Sequence, residues 1–165
     1  KNKKSVLISL GTSDYKNVNT IKKNLIKYFS QQDIKNTKFY IDPRIFDHNF
    51  KNMGFAKADY SKKMYKEIKF AIIKPGLGTI EECLKRGIII IPYTKNTYSE
   101  FVYNSKILVD NKLGYRFQTI EKSLNFVIKN INNAKLIKQY KARCKNLKWE
   151  GEKKIEKYIL KKLNA

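Results

Sequence analysis

Lys69-Phe-Ala-Ile-Ile-Lys74, Pro75-Gly-Leu-Gly78, Thr79-Ile-Glu-Glu-Cys-Leu-Lys-Arg86 and Gly87-Ile-Ile-Ile-Ile-Pro92 follow one another without a gap. A short apolar run breaks at a glycine turn, enters a helical stretch and returns through Gly87 into a second apolar run. Near-continuous Ile/Phe/Ala runs suit parallel strands buried on both faces, so the segment reads as a βαβ unit. Such units bind ligands at the carboxyl ends of their strands, where a helix N-terminus offers free N–H groups and partial positive charge. Pro75–Gly78 occupies that place, and its expected partner is an anion, a phosphate first among them.

The same alternation runs outward in both directions. Ser5–Leu10 reads as a buried strand that turns at Gly11-Thr12-Ser13-Asp14. Val18, Ile21, Leu25, Ile26 and Phe29 recur at helical spacing and predict a helix to about Gln31. Lys38–Ile41 is a second strand, and Ser61–Ile68 a short helix. Between them, Asp42 to Asp59 carries no readable period beyond a turn at Asp42-Pro43. After a polar loop over Tyr93–Ser99, Phe101, Ile107, Leu108 and Leu113 suit a helix capped near Asn111–Gly114. Tyr115–Phe117 reads as a short strand and Ile120–Ile131 as a helix. From Asn133 the pattern is helical to the end, with Leu136, Ile137, Tyr140, Cys144 and Leu147 on one face and an interruption at Gly151. The expected architecture is a Rossmann-like, doubly wound parallel α/β sheet with a helical C-terminal tail, residues 1–165 forming one domain.

Composition narrows the class. With 165 residues the chain can bury a proper core, and no apolar run approaches the length of a membrane span. It begins at Lys1 with no signal-peptide pattern, which suggests a segment of a longer protein. A net charge of +22 invites nucleic acid or an anionic membrane surface as partner. The lysines, however, are spread along the whole chain among Asn and Ile, and no nucleic-acid-binding motif is present. Nucleic acid is therefore not the expected ligand, whereas a basic face resting on the inner side of a membrane stays in view. Cys83 and Cys144 lack metal-ligand spacing, and a reducing, cytoplasmic setting accounts for them. No metal or cofactor is expected. His48, alone in a polar stretch, reads as a surface residue.

Two glycine turns follow buried strands, one at Gly11 and one at Gly76/Gly78. In a doubly wound sheet both lie on one edge, where their N–H groups can converge on a single diphosphate. Thr12, Ser13 and Thr79 add hydroxyls, and Leu77 lies inside the second turn. Thr79-Ile-Glu-Glu82 has two readings. It has the form of a capping box, and Glu82 stands four residues before Arg86, a salt-bridge spacing. Alternatively, the two oxygens of Glu82 accept hydrogen bonds from a ribose diol. Glu100 and Asn104, four apart at a helix start, either complement the helix dipole or hold a sugar hydroxyl.

The order of these pieces resembles the C-terminal, nucleotide-sugar-binding half of GT-B glycosyltransferases of the MurG-like family. Gly76-Leu-Gly-Thr-Ile-Glu-Glu82 matches that family's Gly-x-x-Thr-x-x-Glu turn and helix, and Gly87 to Pro92 its return strand. Glu100-Phe-Val-Tyr-Asn-Ser105, followed by Leu113-Gly114, is similar to its Glu-Gln-x-x-Asn-Ala segment before a glycine. Leu7 to Asp14 resembles the first strand and loop of that half. By this resemblance, which spans Ser5 to Phe117, Gly11 to Ser13 and Gly78 to Thr79 would hold the diphosphate and Glu82 the ribose. Glu100 would face the donor sugar, with Asn104 beside it, and the base would lie near the backbone of Ala58. Phe101 departs from the pattern, standing where the family usually has Gln.

The resemblance implies transfer of a sugar from a nucleotide diphosphate sugar, UDP-sugar first, to a lipid-linked or glycan acceptor. The acceptor site and the catalytic base would then sit elsewhere, in a preceding domain or in a partner subunit, as in the eukaryotic two-subunit N-glycan GlcNAc transferase. No catalytic residue is assigned, and this segment alone is expected to be inactive. Two alternatives stand beside it: a nucleotide-sugar hydrolase or epimerase, and a basic, non-catalytic module binding nucleic acid or membrane.

Overall fold

The computed structural model of the protein describes residues 4–11, 15–32, 34, 37–95 and 98–147. The apolar runs form the strands β1 (Lys4–Ser9), β2 (Thr37–Ile41), β3 (Ala56–Lys57), β4 (Ile68–Ile73) and β5 (Ile89–Pro92). They make one sheet in the order β3-β2-β1-β4-β5, with every neighbouring pair parallel. Six of the helices are α1 (Tyr15–Ser30), α2 (His48–Asn52), α3 (Lys62–Glu67), α4 (Leu77–Lys85), α5 (Ser99–Asp110) and α6 (Ile120–Asn130). A seventh, α7 (Ala134–Lys145), closes the described chain. The doubly wound α/β expectation is met.

The connection from β1 to β2 moves one way across the sheet and that from β4 to β5 the other. Right-handed crossovers then place α1 and α4 on opposite faces, where α1 packs with α6 and α4 with α7. Both faces of the sheet are thereby covered. This is why Val6, Leu7, Ile8, Phe70, Ala71, Ile72, Ile73 and Ile89 to Ile91 are all fully buried.

Two local expectations are corrected. Helix α4 starts one turn earlier than a capping box requires: Gly76 is its N-cap, with no side-chain cap bond, and Thr79 is already inside the helix. Glu82 instead pairs with Arg86, as the four-residue spacing predicts. The strand expected over Tyr115–Phe117 reduces to one bridge between Ile90 and Gly114. Tyr115 and Phe117 pack on Phe126 with ring centroids 4.8 and 5.0 Å away, and that packing replaces strand pairing. Helix α5 ends as expected, with Asn111 as its C-cap, and Lys112 takes the left-handed position (φ 58°). The turn closes with Lys112 N–H donating to Val109 O at 2.9 Å and Leu113 N–H to Leu108 O at 2.7 Å. Thr12, Ser13 and the tail around Gly151 lie outside the described residues.

Candidate nucleotide site

In the strand order, β1 leads to β2 on one side while β4 returns on the other, so the crevice between the carboxyl ends of β1 and β4 is the topological switch point. A cleft of about 370 Å³ opens there, lined by Ser9, Gly11, Arg44, Tyr60, Lys74, Gly76, Thr79 and Phe101. The residues just past the strands are still held by ladder bonds. Lys74 N–H donates to Ser9 O at 2.9 Å, Asp42 N–H to Ile8 O at 2.9 Å and Ala58 N–H to Ile41 O at 2.8 Å. Side chains at this edge therefore start from a rigid backbone.

Both glycine turns reach this cleft. The first intrahelical bond of α4 runs from Ile80 N–H to Gly76 O at 3.0 Å, so helix geometry leaves the N–H groups of Leu77, Gly78 and Thr79 without intrahelical acceptors. Gly11 has φ +77°, and a Cβ there would come within 2.5 Å of Lys74 Cδ. Only glycine allows the Lys74 stem to lie across this turn. Lys74, itself buried, carries its ammonium 4.4 Å from the Phe101 ring centroid and 5.6 Å from that of Tyr98. Phe101 thus lines the cleft and backs a cation.

A second cationic element stands on the β2 side. Arg44 clamps Asp42 in bidentate fashion, Nε to Oδ1 at 2.7 Å and Nη2 to Oδ2 at 2.6 Å. Burial pushes the Asp42 carboxyl up, but the Arg44 hydrogen bonds and charge outweigh it and hold the group below the usual carboxylate range. Ser9 Oγ donates to Asp42 Oδ2 at 3.4 Å and shares a 2.9 Å hydrogen bond with the Tyr60 hydroxyl. Burial raises the Tyr60 phenol, so it stays neutral. Tyr60 has φ 53°, an outlier for a bulky side chain, and the Ser9 contact is what that strained backbone delivers.

Gly11, Gly76 and Thr79 are brought together, as expected from the sequence, with Leu77 and Gly78 beside them in the first turn of α4. Glu82 stands one turn further along the Thr79 face, paired with Arg86, whose guanidinium lies 5.3 Å from the Tyr65 ring. Ala58 is buried, and its N–H is already donated. Glu100 is exposed in the first turn of α5, and Asn104 is buried with its amide donating to Pro75 O at 2.9 Å. Asn104 thereby pins the glycine turn to α5. Cys83 is buried with its thiol pushed up to about 12 by desolvation, which removes it from thiolate chemistry. His48 is exposed at the start of α2, outside the cleft.

Lys74, Asp42, Arg44 and Tyr60 are absent from the sequence-derived site. Lys74 and Asp42 share one signal, a lone charged residue immediately after an apolar strand, at the carboxyl end where these folds bind ligands. Tyr60 carries no comparable signal, because its link to Ser9 is a long-range contact.

No protein-family model and no curated protein sequence matches this chain. Solved structures do. The glycotransferase of kitacinnamycin is similar with a TM-score of 0.63 and 13% identity, over 87% of this chain and 40% of that one. Glycosyltransferase SnogD from Streptomyces nogalater gives 0.59 and 15%, over 97% and 45%. Glycosyltransferase SsfS6 from Streptomyces sp. SF2575, complexed with thymidine diphosphate, gives 0.55 and 12%, over 89% and 38%. The chain thus spans less than half the length of each. At such identities the likeness is one of fold: a Rossmann-like α/β sheet of the kind that builds the halves of GT-B glycosyltransferases. These neighbours are glycosyltransferases in general and do not single out the MurG-like type.

Proposed function

We propose that this chain is the donor-binding half of a GT-B glycosyltransferase of the MurG-like type, taking a nucleotide diphosphate sugar, UDP-sugar first. The observation that carries the reading is the cleft of about 370 Å³ at the switch point, which Gly11, Lys74, Gly76 and Thr79 line together. Gly11 to Ser13 and the first turn of α4 hold the diphosphate, with Lys74 supplying charge. Glu82 takes the ribose, the backbone near Ala58 the base, and Glu100 the donor sugar. Asn104 supports the sugar side through its bond to Pro75. Acceptor and catalytic base come from another half, on the same polypeptide or on a partner subunit. Donor positioning and stabilisation of the departing diphosphate are what these residues contribute. A thymidine diphosphate bound to SsfS6 is consistent with a nucleoside diphosphate here.

Melting curves test it directly. UDP is expected to raise the melting temperature more than UMP, and UMP more than uridine, with thymidine diphosphate run alongside to read the base. A ligand at a hundred times its dissociation constant stabilises by about 2.7 kcal/mol, a shift well within measurement. Equal shifts from uridine and UDP would remove the diphosphate from the site.

Glu82→Gln separates a ribose contact from a helical role. The Glu82–Arg86 pair is partly exposed and spans one helical turn, so its loss costs only about 0.3–0.5 kcal/mol. The variant should fold normally. If Glu82 accepts a diol, weakening charge-assisted bonds that are worth about 1.5–3 kcal/mol should weaken UDP binding at least several-fold. Superimposable UDP titrations for both proteins would confine Glu82 to its helix.

No observation favours the hydrolase or epimerase reading. It requires a water-activating residue inside the cleft, and His48, the single histidine, lies outside it.

A further inference from the structure

We propose that the outward face of α5 is a self-association surface, through which two copies of this chain pair side by side. Among the described residues, large apolar side chains left exposed gather here. Tyr98, Val102, Tyr103, Ile107 and Val109 belong to α5 or its cap. Leu77, at the start of α4 two residues beyond the Pro75 carbonyl that Asn104 holds, is exposed as well. The exposure is large: 68% for Leu77 and 64% for both Tyr98 and Tyr103. Apolar area gathered on one helix is unfavourable in water and marks a surface that is covered in use.

Charge indicates what covers it. The chain as a whole carries +22, yet Ser99–Asp110 holds only Glu100, Lys106 and Asp110, a net −1 from one cation and two anions. Lys106 and Asp110 already pair across one turn at 2.8 Å. An anionic bilayer or a nucleic acid would be drawn to the lysine-rich faces and would gain little here. A second copy fits better. A two-fold contact sets a surface against its own reversed pattern, so an antiparallel pairing of two α5 helices offers each Lys106 a second carboxylate, the partner's Asp110. That register is centred near residue 108, so Ile107 of one copy meets Val109 of the other, and Tyr103 and Val102 reach past the partner's helix end onto its turn at 111–114. The excess positive charge lies on other elements, and its repulsion is screened beyond about 8 Å at physiological ionic strength. One helix and a flanking turn make an interface at or below the roughly 800 Å² per partner of stable complexes, so the association is concentration-dependent.

Sedimentation equilibrium of the full chain, over a concentration series at low and high sodium chloride, tests this. The expected result is a monomer–dimer equilibrium that moves towards dimer as salt rises, because salt screens the repulsion and leaves apolar burial intact. The pair Val102→Asp and Ile107→Asp should weaken dimerisation at least tenfold; these side chains are 38% and 42% exposed, so circular dichroism of the variant checks that it still folds. Tyr103→Ser, a milder change, should weaken it in the same direction. A wild-type chain that is monomeric at every concentration overturns the proposal, as does a dimer that these substitutions leave intact. Co-sedimentation with phosphatidylserine/phosphatidylcholine vesicles supplies a further arm. Vesicle binding that the same substitutions abolish assigns the face to a bilayer and also overturns it.

Discussion

Gly11→Ala is expected to destabilise the protein and to abolish its stabilisation by UDP, whereas Gly54→Ala does only the first. The two positions form a matched pair, because each has φ +77°. Alanine in the left-handed region costs roughly 1–2 kcal/mol at either site. What surrounds the new methyl differs. At Gly54 nothing lies within 4 Å, so strain is the whole effect. At Gly11 the methyl would stand 2.5 Å from Lys74 Cδ and 3.3 Å from Lys74 Cβ. Lys74 is buried and starts from a backbone bonded to Ser9, so it cannot simply swing into solvent. Either the lysine leaves its place beside Phe101 or the Gly11 loop moves outward. Both displace a cation or N–H groups from the proposed diphosphate position. The expected total for Gly11→Ala is about 2–4 kcal/mol of stability, the collision adding to the strain. Thermal unfolding with and without UDP separates the two effects. A Gly11→Ala protein that keeps the full UDP shift would show that this turn does not hold the nucleotide.

The legible and illegible parts of this chain divide along physical lines. Long elements buried on one or both faces write their period into the sequence, and β1, α1, β4, α4, β5 and α6 all stand where their apolar residues predict. Between Asp42 and Asp59 the elements are a five-residue helix and a two-residue strand, too short to carry a period. Tyr115–Phe117 has the composition of a strand, but its rings are claimed by Phe126 from another element, which local sequence cannot reveal. Thr79-x-x-Glu82 reads as a cap from spacing alone, yet spacing does not say where a helix begins. Gly76 can adopt the cap conformation without a side chain, and α4 starts there. For the candidate site, the two glycine turns were readable because close backbone approach requires glycine. The charged residues around them were not. Lys74 and Asp42 look like ordinary strand ends until the sheet order sets β1 between β2 and β4 and brings both to one edge.

Asp42→Ala is expected to lower stability by about 2–3 kcal/mol near neutral pH, roughly 4–12 °C in melting temperature. The carboxylate is only 1% exposed and receives the Arg44 fork, the Arg44 N–H at 3.1 Å and Ser9 Oγ. Charge-assisted bonds of this kind are worth about 1.5–3 kcal/mol, less the desolvation the carboxylate itself suffers. The figure stays at the lower end of buried-pair losses because the Arg44 side chain is 38% exposed and regains water once its partner is gone. Acid unfolding provides the sign test. The folded-state pKa of Asp42 lies below the ordinary carboxylate value, so its contribution is complete above about pH 4. It is lost as pH falls through the lowered value. Between neutral pH and pH 4 the wild-type and variant curves should therefore run parallel, separated by a constant gap. Below that they should converge, as protonation strips from the wild type what the substitution has already removed. A gap that persists unchanged to pH 2 would mean that Asp42 stabilises through packing rather than charge. With Asp42 gone, Arg44 is released from the β2 edge, so the same variant should also weaken UDP if the Arg44 wall faces the bound nucleotide. Titration of the purified variant with UDP at neutral pH, where the folded fraction is still high, reads that second effect apart from the first.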